Sequence, residues 1–411
     1  MESNRSRIEK RKGTFNRILV LAAWGFLIAA YIFGHFLMQE DYFSLAREQL
    51  IENKLEVTDV NAESMTIMAP QEGAISRIRF GSAQGYGGDL TVGLIYDEAG
   101  GIQDVLILTN RETVSFLKKL TRKGFFDQFQ GKAVNDPLHL NTDIDAVSGC
   151  TASSLAFTNA IREAGFQAAR KDFDLEVLEP PVFWKLGFDE IAILVLIIIG
   201  ILALYLKKKW LRYLSLIVSL VIVGIYLNAS VSISHFARLT LGFLPALKEH
   251  LIWWGLVSVT LVFPLFLRKN LYCYALCPFL AVQTILIKIS GFRLKLTGDF
   301  LKFAKIASLA LLWLAFMIIF ISENPTLGSY EPFAILFSLD GAGLQWYLLP
   351  VAMIGALLVP DYYCRYFCPV GRALTIVGKF GTKTTALVFR HMIRGNISQY
   401  DTGQNLLNKT E

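Results

Sequence analysis

Six stretches of this chain are apolar over roughly the 20 residues that a helix needs to cross a ~30 Å hydrocarbon core. They are residues 17–38, 188–206, 211–230, 251–267, 303–322 and 345–360. In lipid every backbone polar group must be satisfied within the protein, so such runs are expected as helices. Pro350 and Gly355 interrupt the last run, and membrane helices tolerate both. With 54% hydrophobic residues, 18% charged residues and a mean hydropathy of +0.45, the chain is too apolar for an ordinary soluble protein. The first run is long and has no small-residue cleavage site near Gly34-His35-Phe36, so it reads as an anchor and not as a cleaved leader.

Basic residues orient the runs. Arg5, Arg7, Lys10, Arg11, Lys12 and Arg17 precede the first, which puts the N-terminus in the cytoplasm and residues 39–187 outside. Lys207-Lys208-Lys209 and Arg212 mark the return, and Arg268-Lys269, Lys288, Arg293, Lys295, Lys302 and Lys305 mark further inner loops. The loop from Ser322 to Trp346 carries Glu323, Glu331 and Asp340 but no Lys or Arg, so it belongs outside. Arg365, Arg372, Lys379 and Lys383 place the tail inside. The expected localisation is the cytoplasmic membrane, multi-pass, with both termini cytoplasmic and the lipid bilayer as first partner. The net charge of +6 is then a topology signal and no argument for nucleic acid.

The long segment between the first two runs has its own order. Residues 54–70 read as a linker. Gly73–Phe80 alternates as a strand, followed by a glycine-dense loop, Gly81-Ser82-Ala83-Gln84-Gly85-Tyr86-Gly87-Gly88. Leu90–Tyr96 and Ile102–Leu108 flank Asp97-Glu98-Ala99-Gly100-Gly101, a hairpin pattern. Val114–Lys123 reads as a helix, and strands followed by helices give an α+β expectation. The segment ends on Asp145-Ala146-Val147-Ser148-Gly149-Cys150-Thr151, a tight turn opening a helix over Ala152–Ala164 that stops at Gly165. On the residues alone, Ser148 or Thr151 caps a surface helix, or the helix start receives a phosphate.

That turn resembles the flavinylation motif of the FMN-binding domains in NqrC, RnfG and NosR-like proteins, with Cys150 where the family has Ala. The succession Gly85-Tyr86-Gly87-Gly88, Arg111-Glu112-Thr113, Phe129-Gln130-Gly131-Lys132 and Ser148-Gly149-Cys150-Thr151 is similar to that domain over residues 73–165. The resemblance implies FMN joined to Thr151 by a phosphoester, attached by a flavin transferase. Asp145, Ser148 and Gly149 then belong to the attachment motif, Gly87 and Gly88 to the glycine loop, and Glu112 and Thr113 stand beside the flavin ring. Val114-Ser115 replaces the family's Pro-Gly, and Tyr86 and Phe116 are stacking candidates that also read as core.

Four of the five cysteines form matching pairs, Cys273-x3-Cys277-Pro278 and Cys364-x3-Cys368-Pro369. The spacing puts both sulfurs of a pair on one face of a helix or turn. Both pairs fall on the reducing cytoplasmic side, where metal or redox roles are favoured over structural disulfides. Four thiolates could hold one [4Fe–4S] cluster, bind zinc or copper, or cycle between dithiol and disulfide.

An anchor, an external FMN domain, five further helices and two such motifs resemble the NosR family across almost the whole chain. The absence of a ferredoxin-like end makes it similar to the shorter reductive-dehalogenase-associated PceC/RdhC type. The expected fold is an α+β extracytoplasmic FMN-binding domain inserted between helices of a six-helix transmembrane protein. Its parts are an N-terminus and first helix (1–38), the FMN domain (39–187), a five-helix membrane domain (188–380) and a cytoplasmic tail (381–411). The resemblance implies an electron carrier between the quinone pool and an extracytoplasmic reductase or its membrane anchor, with quinone as a further cofactor. The cofactors carry the chemistry, so no general acid, base or nucleophile is assigned. The other reading, from a different class, is a redox sensor or maturation factor for such a reductase. His35 and His235, near the outer face, are candidates for a haem pair or quinone contact, beside the blander reading of satisfied interfacial histidines. Tyr330-Glu331-Pro332-Phe333 resembles a family feature of unassigned role.

Overall fold

The computed structural model describes residues 2–37, 41–52, 56–60, 64–68, 75–85, 87–178, 184, 187–294, 296–338 and 344–379. Gly73, Tyr86, Lys295, Asp340 and the tail at 381–411, all singled out in the sequence, lie outside the described residues. The chain divides into two compact units. The first takes in Met1–Lys185, Gly224–His250 and Ala310–Ile354, and the second Leu186–Val223, Leu251–Leu309 and Gly355 onward.

The first unit contains a five-stranded antiparallel meander: β1 (Glu56–Val60), β2 (Ser64–Met68), β3 (Ile75–Gln84), β4 (Asp89–Asp97) and β5 (Ile102–Asn110), paired in that order. Asp97 closes the β4–β5 hairpin, its Oδ1 accepting the amides of Ala99 at 2.9 Å and Gly101 at 2.8 Å. Strand β4 alternates with period two between two cores. Leu90, Val92, Leu94 and Tyr96 pack with Phe157, Ala160, Ile161 and Ala164 of α4 (Thr151–Asp172). Ile95 shares the other core with Ala46 and Leu50 of α2 (Tyr42–Glu52) and with Met65, Ile67 and Ile78. Between β5 and α4 lies α3 (Val114–Arg122). An antiparallel sheet with α2 packed in one core and α4 in the other bears out the α+β expectation.

Three local expectations change. The stretch read as a linker holds β1 and β2, because Met65 and Ile67 are needed to bury α2. Strand β3 runs through Gly81–Gln84, expected as loop, pairing as far as Gln84 with Asp89. Helix α4 continues past Gly165 to Asp172. Gly165 is a packing residue, since a Cβ there would stand 2.7 Å from the Val134 carbonyl oxygen.

The end of α4 is tied to the sheet by charge. Arg79 on β3 donates to Asp172 through Nε at 2.9 Å and Nη2 at 2.8 Å, and the Tyr96 hydroxyl donates to the same carboxylate. Burial pushes the Asp172 carboxyl up, but the bonds from Arg79 and Tyr96 outweigh it and hold the group below the ordinary carboxylate range.

Among the described residues four helices are long and apolar enough to cross a bilayer: Arg17–Phe36 within α1 (Glu2–Leu37), α5 (Phe188–Leu206), Lys209–Tyr226 and α10 (Gly298–Ser322). They mark this as a membrane protein. The third is α6 (Lys209–Ser219) continued by a π-helical turn, Leu220–Tyr226. The other two expected spans are shorter helices, α8 (Leu251–Leu267) of 17 residues and α12 (Leu344–Leu358) of 15. At 1.5 Å per residue these reach about 26 and 22 Å, short of the ~30 Å core. Between α6 and α8 stands the short helix α7 (Ile233–Leu241). The segment expected as an inner loop contains a further apolar helix, α9 (Pro278–Ser290).

Candidate cofactor sites

The turn opening α4 is built around Gly149, whose φ of +75° is a conformation that side chains disfavour. It lets Cys150 N bond back to Val147 O at 2.9 Å and Ser154 N reach Cys150 O at 2.8 Å, starting the helix at once. Gln128 fixes the approach by bonding both ways with the Asp145 backbone, at 2.8 and 3.2 Å. Ser148 and Thr151 are exposed, and Cys150 is buried at 3% exposure in the core. The cysteine replacing Ala is therefore a packing residue here.

Sequence reasoning missed the cation beside this turn. A Cβ on Gly149 would lie 3.4 Å from Lys119 Nζ, so the ammonium of α3 stands against the start of α4. The free amides of a 22-residue helix, an adjacent ammonium and an exposed threonine hydroxyl are a donor set that fits the phosphate of FMN. The signal in the sequence was a lysine one turn beyond Phe116 and Ser115, on a helix whose partner face was unknown.

Glu112 is buried at 3% exposure and joins the glycine loop to α4. Its Oε1 accepts the Gly87 amide at 3.1 Å, and its Oε2 accepts the Ser153 hydroxyl at 2.5 Å. Gly87 fits because a Cβ would fall 1.7 Å from the Arg111 carbonyl oxygen. Gly88 packs on Arg111, whose guanidinium lies 4.6 Å over the Phe243 ring and donates through Nε to Glu323 O at 2.8 Å. Thr113 stands outside α3 at its start and lines a cleft with Asn228, Ser232, Glu331, Phe333 and Gln345. The structure thus joins Gly87, Glu112 and Ser153 in one cluster and Ser148, Gly149, Thr151 and Lys119 in another. Phe116 is core. His235 accepts the Ser232 amide at Nδ1 (3.2 Å) and closes the cap of α7, whereas His35 pairs with Glu323 at 3.0 Å. Each histidine has its own local partner, as the blander reading expected.

In the second unit the cysteine motifs have the same construction. Cys273 sits in a π-helical turn, Tyr272–Leu276, and Cys277 is the N-cap of α9, which opens on Pro278. Cys364 sits in α13 (Tyr362–Tyr366), and Cys368 precedes a helix over 369–379 that opens on Pro369. Pro is favoured at a first helical position because its missing N–H would have no partner there. The amides of Leu280 and Phe279 face the Cys277 sulfur, and the Gly371 amide donates to Cys368 Sγ at 3.4 Å. Each second cysteine therefore directs its sulfur at the opening turn of the helix that follows.

The motifs meet. The Cys277 and Cys364 thiols contact each other, and Cys273 and Cys368 lie within electrostatic range of Cys364. Gln283 of α9 bridges them, donating Nε2 to Cys364 Sγ at 2.9 Å and accepting the Tyr363 amide at Oε1 at 2.9 Å. Helix α6 holds the first turn through three polar residues on one face. Arg212 Nε, Ser215 Oγ and Ser219 Oγ donate to the carbonyls of Tyr274, Ala275 and Leu276 at 3.1, 2.9 and 2.5 Å. Those residues, at i, i+3 and i+7 of an apolar run, were a legible signal that the sequence reading passed over. Among the described residues no three His, Cys, Asp or Glu side chains form a ready site for a single ion. Four thiols from two facing turns, with amide donors to sulfur, fit a [4Fe–4S] cluster, which takes four cysteine ligands.

A family model for an FMN-binding domain matches residues 85–165. A model for a 4Fe-4S binding domain matches residues 250–297 and 347–386, one segment around each cysteine motif. Comparison with curated proteins gives no match. The two domain matches bear out FMN and support a [4Fe–4S] cluster as the cofactors, and they fit a NosR-like membrane flavoprotein that transfers electrons.

Proposed function

We propose that this chain carries electrons from the quinone pool to an extracytoplasmic reductase of the reductive dehalogenase type, as in the PceC/RdhC-like short relatives. FMN is held outside the membrane through a phosphoester to Thr151, and the four cysteines hold the cluster toward the cytoplasmic face. The observation that carries this reading is the start of α4, where an exposed Thr151 hydroxyl, helix amides and Lys119 stand together inside the segment matching an FMN-binding domain. There the amides and the ammonium would offset the single negative charge of the phosphodiester. Gly87, Gly88, Glu112 and Thr113 shape the neighbouring wall. Cys273, Cys277, Cys364 and Cys368 would ligate iron as thiolates, with the Gln283 and Gly371 donors lowering charge density on sulfur. When bound, FMN supplies two-electron chemistry and the cluster one-electron chemistry. The run of basic residues before the first span and at Lys207-Lys208-Lys209 supports cytoplasmic termini and an external FMN domain.

The test is flavin fluorescence of the denatured protein on a gel. Thr151→Val is expected to abolish it, and fluorescence surviving that change would overturn the attachment. A reporter fused after Gly187 is expected outside, and steady quinol-dependent reduction of an external acceptor separates a carrier from a redox sensor.

A further inference from the structure

Helix α3 turns a face to solvent that neither cofactor explains. Its inner side is fixed by Phe116 and Leu120, which share a core with Phe157 of α4. The outer side carries Lys118, Lys119 and Arg122, with Lys123 at the C-cap, and no Asp or Glu occurs from Val114 to Gly124. Lys118, Arg122 and Lys123 are exposed, and Lys119 is half-buried with its ammonium against the turn at Gly149. Glu112, the acid before the helix, is turned inward onto Gly87 and Ser153. The next acid, Asp127, lies beyond the helix in the turn Phe126–Phe129.

The helix itself does not call for this charge. Its dipole favours cations in the last turn, which covers Lys119 and Arg122 but not Lys118. Lys118 with Arg122 and Lys119 with Lys123 stand four residues apart, where like charges repel and weaken a helix. Membrane topology does not call for it either, since basic residues mark the cytoplasmic side, opposite to where the proposed function puts this segment. Acidic residues outnumber basic ones over residues 39–187, so a wholly basic helix face is set apart from the rest of the segment. Val114, 51% exposed, continues the row of Lys118 and Arg122 one turn earlier, and an apolar spot beside polar residues is how protein contact surfaces are built.

The position gives the face a use. Ser148 and Thr151, both exposed, belong to the turn that Lys119 touches, so the basic face borders the proposed flavin attachment. Electron-transfer contacts between proteins are small, and complementary charge sets their encounter rates. We propose that the outer face of α3 docks the protein that exchanges electrons with the flavin, and that this partner presents an acidic rim around its own redox centre. The inference rests on the reading of the chain as an external electron carrier and adds the surface and the charge of its partner.

The test uses the full chain in neutral detergent with two oxidised probe proteins: plastocyanin, which docks through an acidic surface, and cytochrome c, which docks through a basic one. Each probe molecule takes one electron, so two are consumed per fully reduced flavin, whose protons go to solvent. Added salt is expected to slow reoxidation by plastocyanin and to speed reoxidation by cytochrome c. Lys118→Glu combined with Lys123→Glu is expected to cut the plastocyanin rate at low salt by about tenfold, with thermal midpoint and flavin content retained because both side chains are exposed. An unchanged rate in that variant, or the same salt dependence for both probes, would overturn the proposal. Plastocyanin binding to the immobilised Thr151→Val chain provides an arm free of the flavin. Salt-sensitive binding that the two charge reversals abolish supports the face even if the attachment fails, and binding that is absent or indifferent to them overturns it. Acetylation of Lys118 and Lys123 in lipid nanodiscs examines the other occupant. Protection by phosphatidylglycerol but not by phosphatidylcholine assigns the face to anionic headgroups and overturns the proposal, whereas lysines reactive in both lipids support it. Gel fluorescence of those samples reports on attachment alone.

Discussion

The Ser153 hydroxyl donates to Glu112 Oε2 at 2.5 Å, linking the first turn of α4 to a carboxylate whose other oxygen holds the Gly87 amide. Glu112→Ala leaves both donors buried without acceptors, at about 1–3 kcal/mol each. The expected result is a lower thermal midpoint and looser flavin retention, with Glu112→Gln milder because one oxygen is kept. Thermal melting followed by flavin fluorescence checks this, and a Glu112→Ala midpoint equal to wild type would refute the staple.

Lys119 gives a different signature. It is half-buried and its ammonium stands at the start of α4, so its loss removes a phosphate partner while the core stays intact. Lys119→Ala is expected to slow covalent flavin incorporation by about tenfold, from a charge-assisted contact of roughly 1.5–3 kcal/mol, with the melting midpoint unchanged. Lys119→Arg keeps the charge and restores most incorporation. Time-resolved gel fluorescence during flavin loading measures both. Equal rates in wild type and Lys119→Ala would remove the lysine from the site.

The Arg79–Asp172–Tyr96 cluster sets an acid limit on the FMN domain. Asp172 is held below the ordinary carboxylate value near 3.9. Its contribution is therefore complete above that unfolded-state value and is lost as the pH falls through the lower folded-state one. Tyr96 is raised, by burial first and then by its bond to Asp172. Its contribution is present below the ordinary phenol value near 10 and fades as the pH rises toward the folded-state one. Melting midpoints are expected to be level near neutrality and to fall below about pH 4. Asp172→Asn removes the carboxylate that Arg79 and Tyr96 both bond, so it is expected to lower the midpoint at neutral pH and to flatten the acid limb. An acid limb of unchanged slope in that variant would assign the dependence to other groups.

Much of this was legible in the sequence, and the exceptions share a cause. The hairpin around Asp97–Gly101, the strand pattern of β4 and the paired cysteine motifs announce themselves through local spacing. Strands β1 and β2 do not, because their apolar residues make sense only against α2, a helix that no periodicity in residues 54–70 can reveal. Gly165 carries a stop signal yet serves a close approach to Val134, so tertiary packing overrode a local rule. Lys119 and Gln283 were hidden for the same reason, since each acts on a turn far from it in sequence.

The thiol site makes an iron prediction. Protein purified without oxygen is expected to hold iron and sulfide with the visible absorption of a cluster, and Cys364→Ser to lose most of it. Gln283→Leu removes a donor to the Cys364 sulfur, so it is expected to keep the cluster at a lower reduction potential. Potentiometric titration of the visible or paramagnetic signal measures both. Iron-free wild type prepared this way would favour dithiol chemistry at the four cysteines.

The bridge made by Gln283 also orders events during biosynthesis. Helix α9 leaves the ribosome with the first cysteine pair, while Tyr363 and Cys364 are still unmade. At typical translation rates the delay is a matter of seconds. Through that interval a carboxamide sits on an apolar helix with neither of its later partners, and two thiols wait without their counterparts. Chain termination before α13 would leave Gln283 without the Tyr363 amide and the Cys364 sulfur that it bonds. A cluster taking all four cysteines would therefore have its full ligand set only once both turns are made.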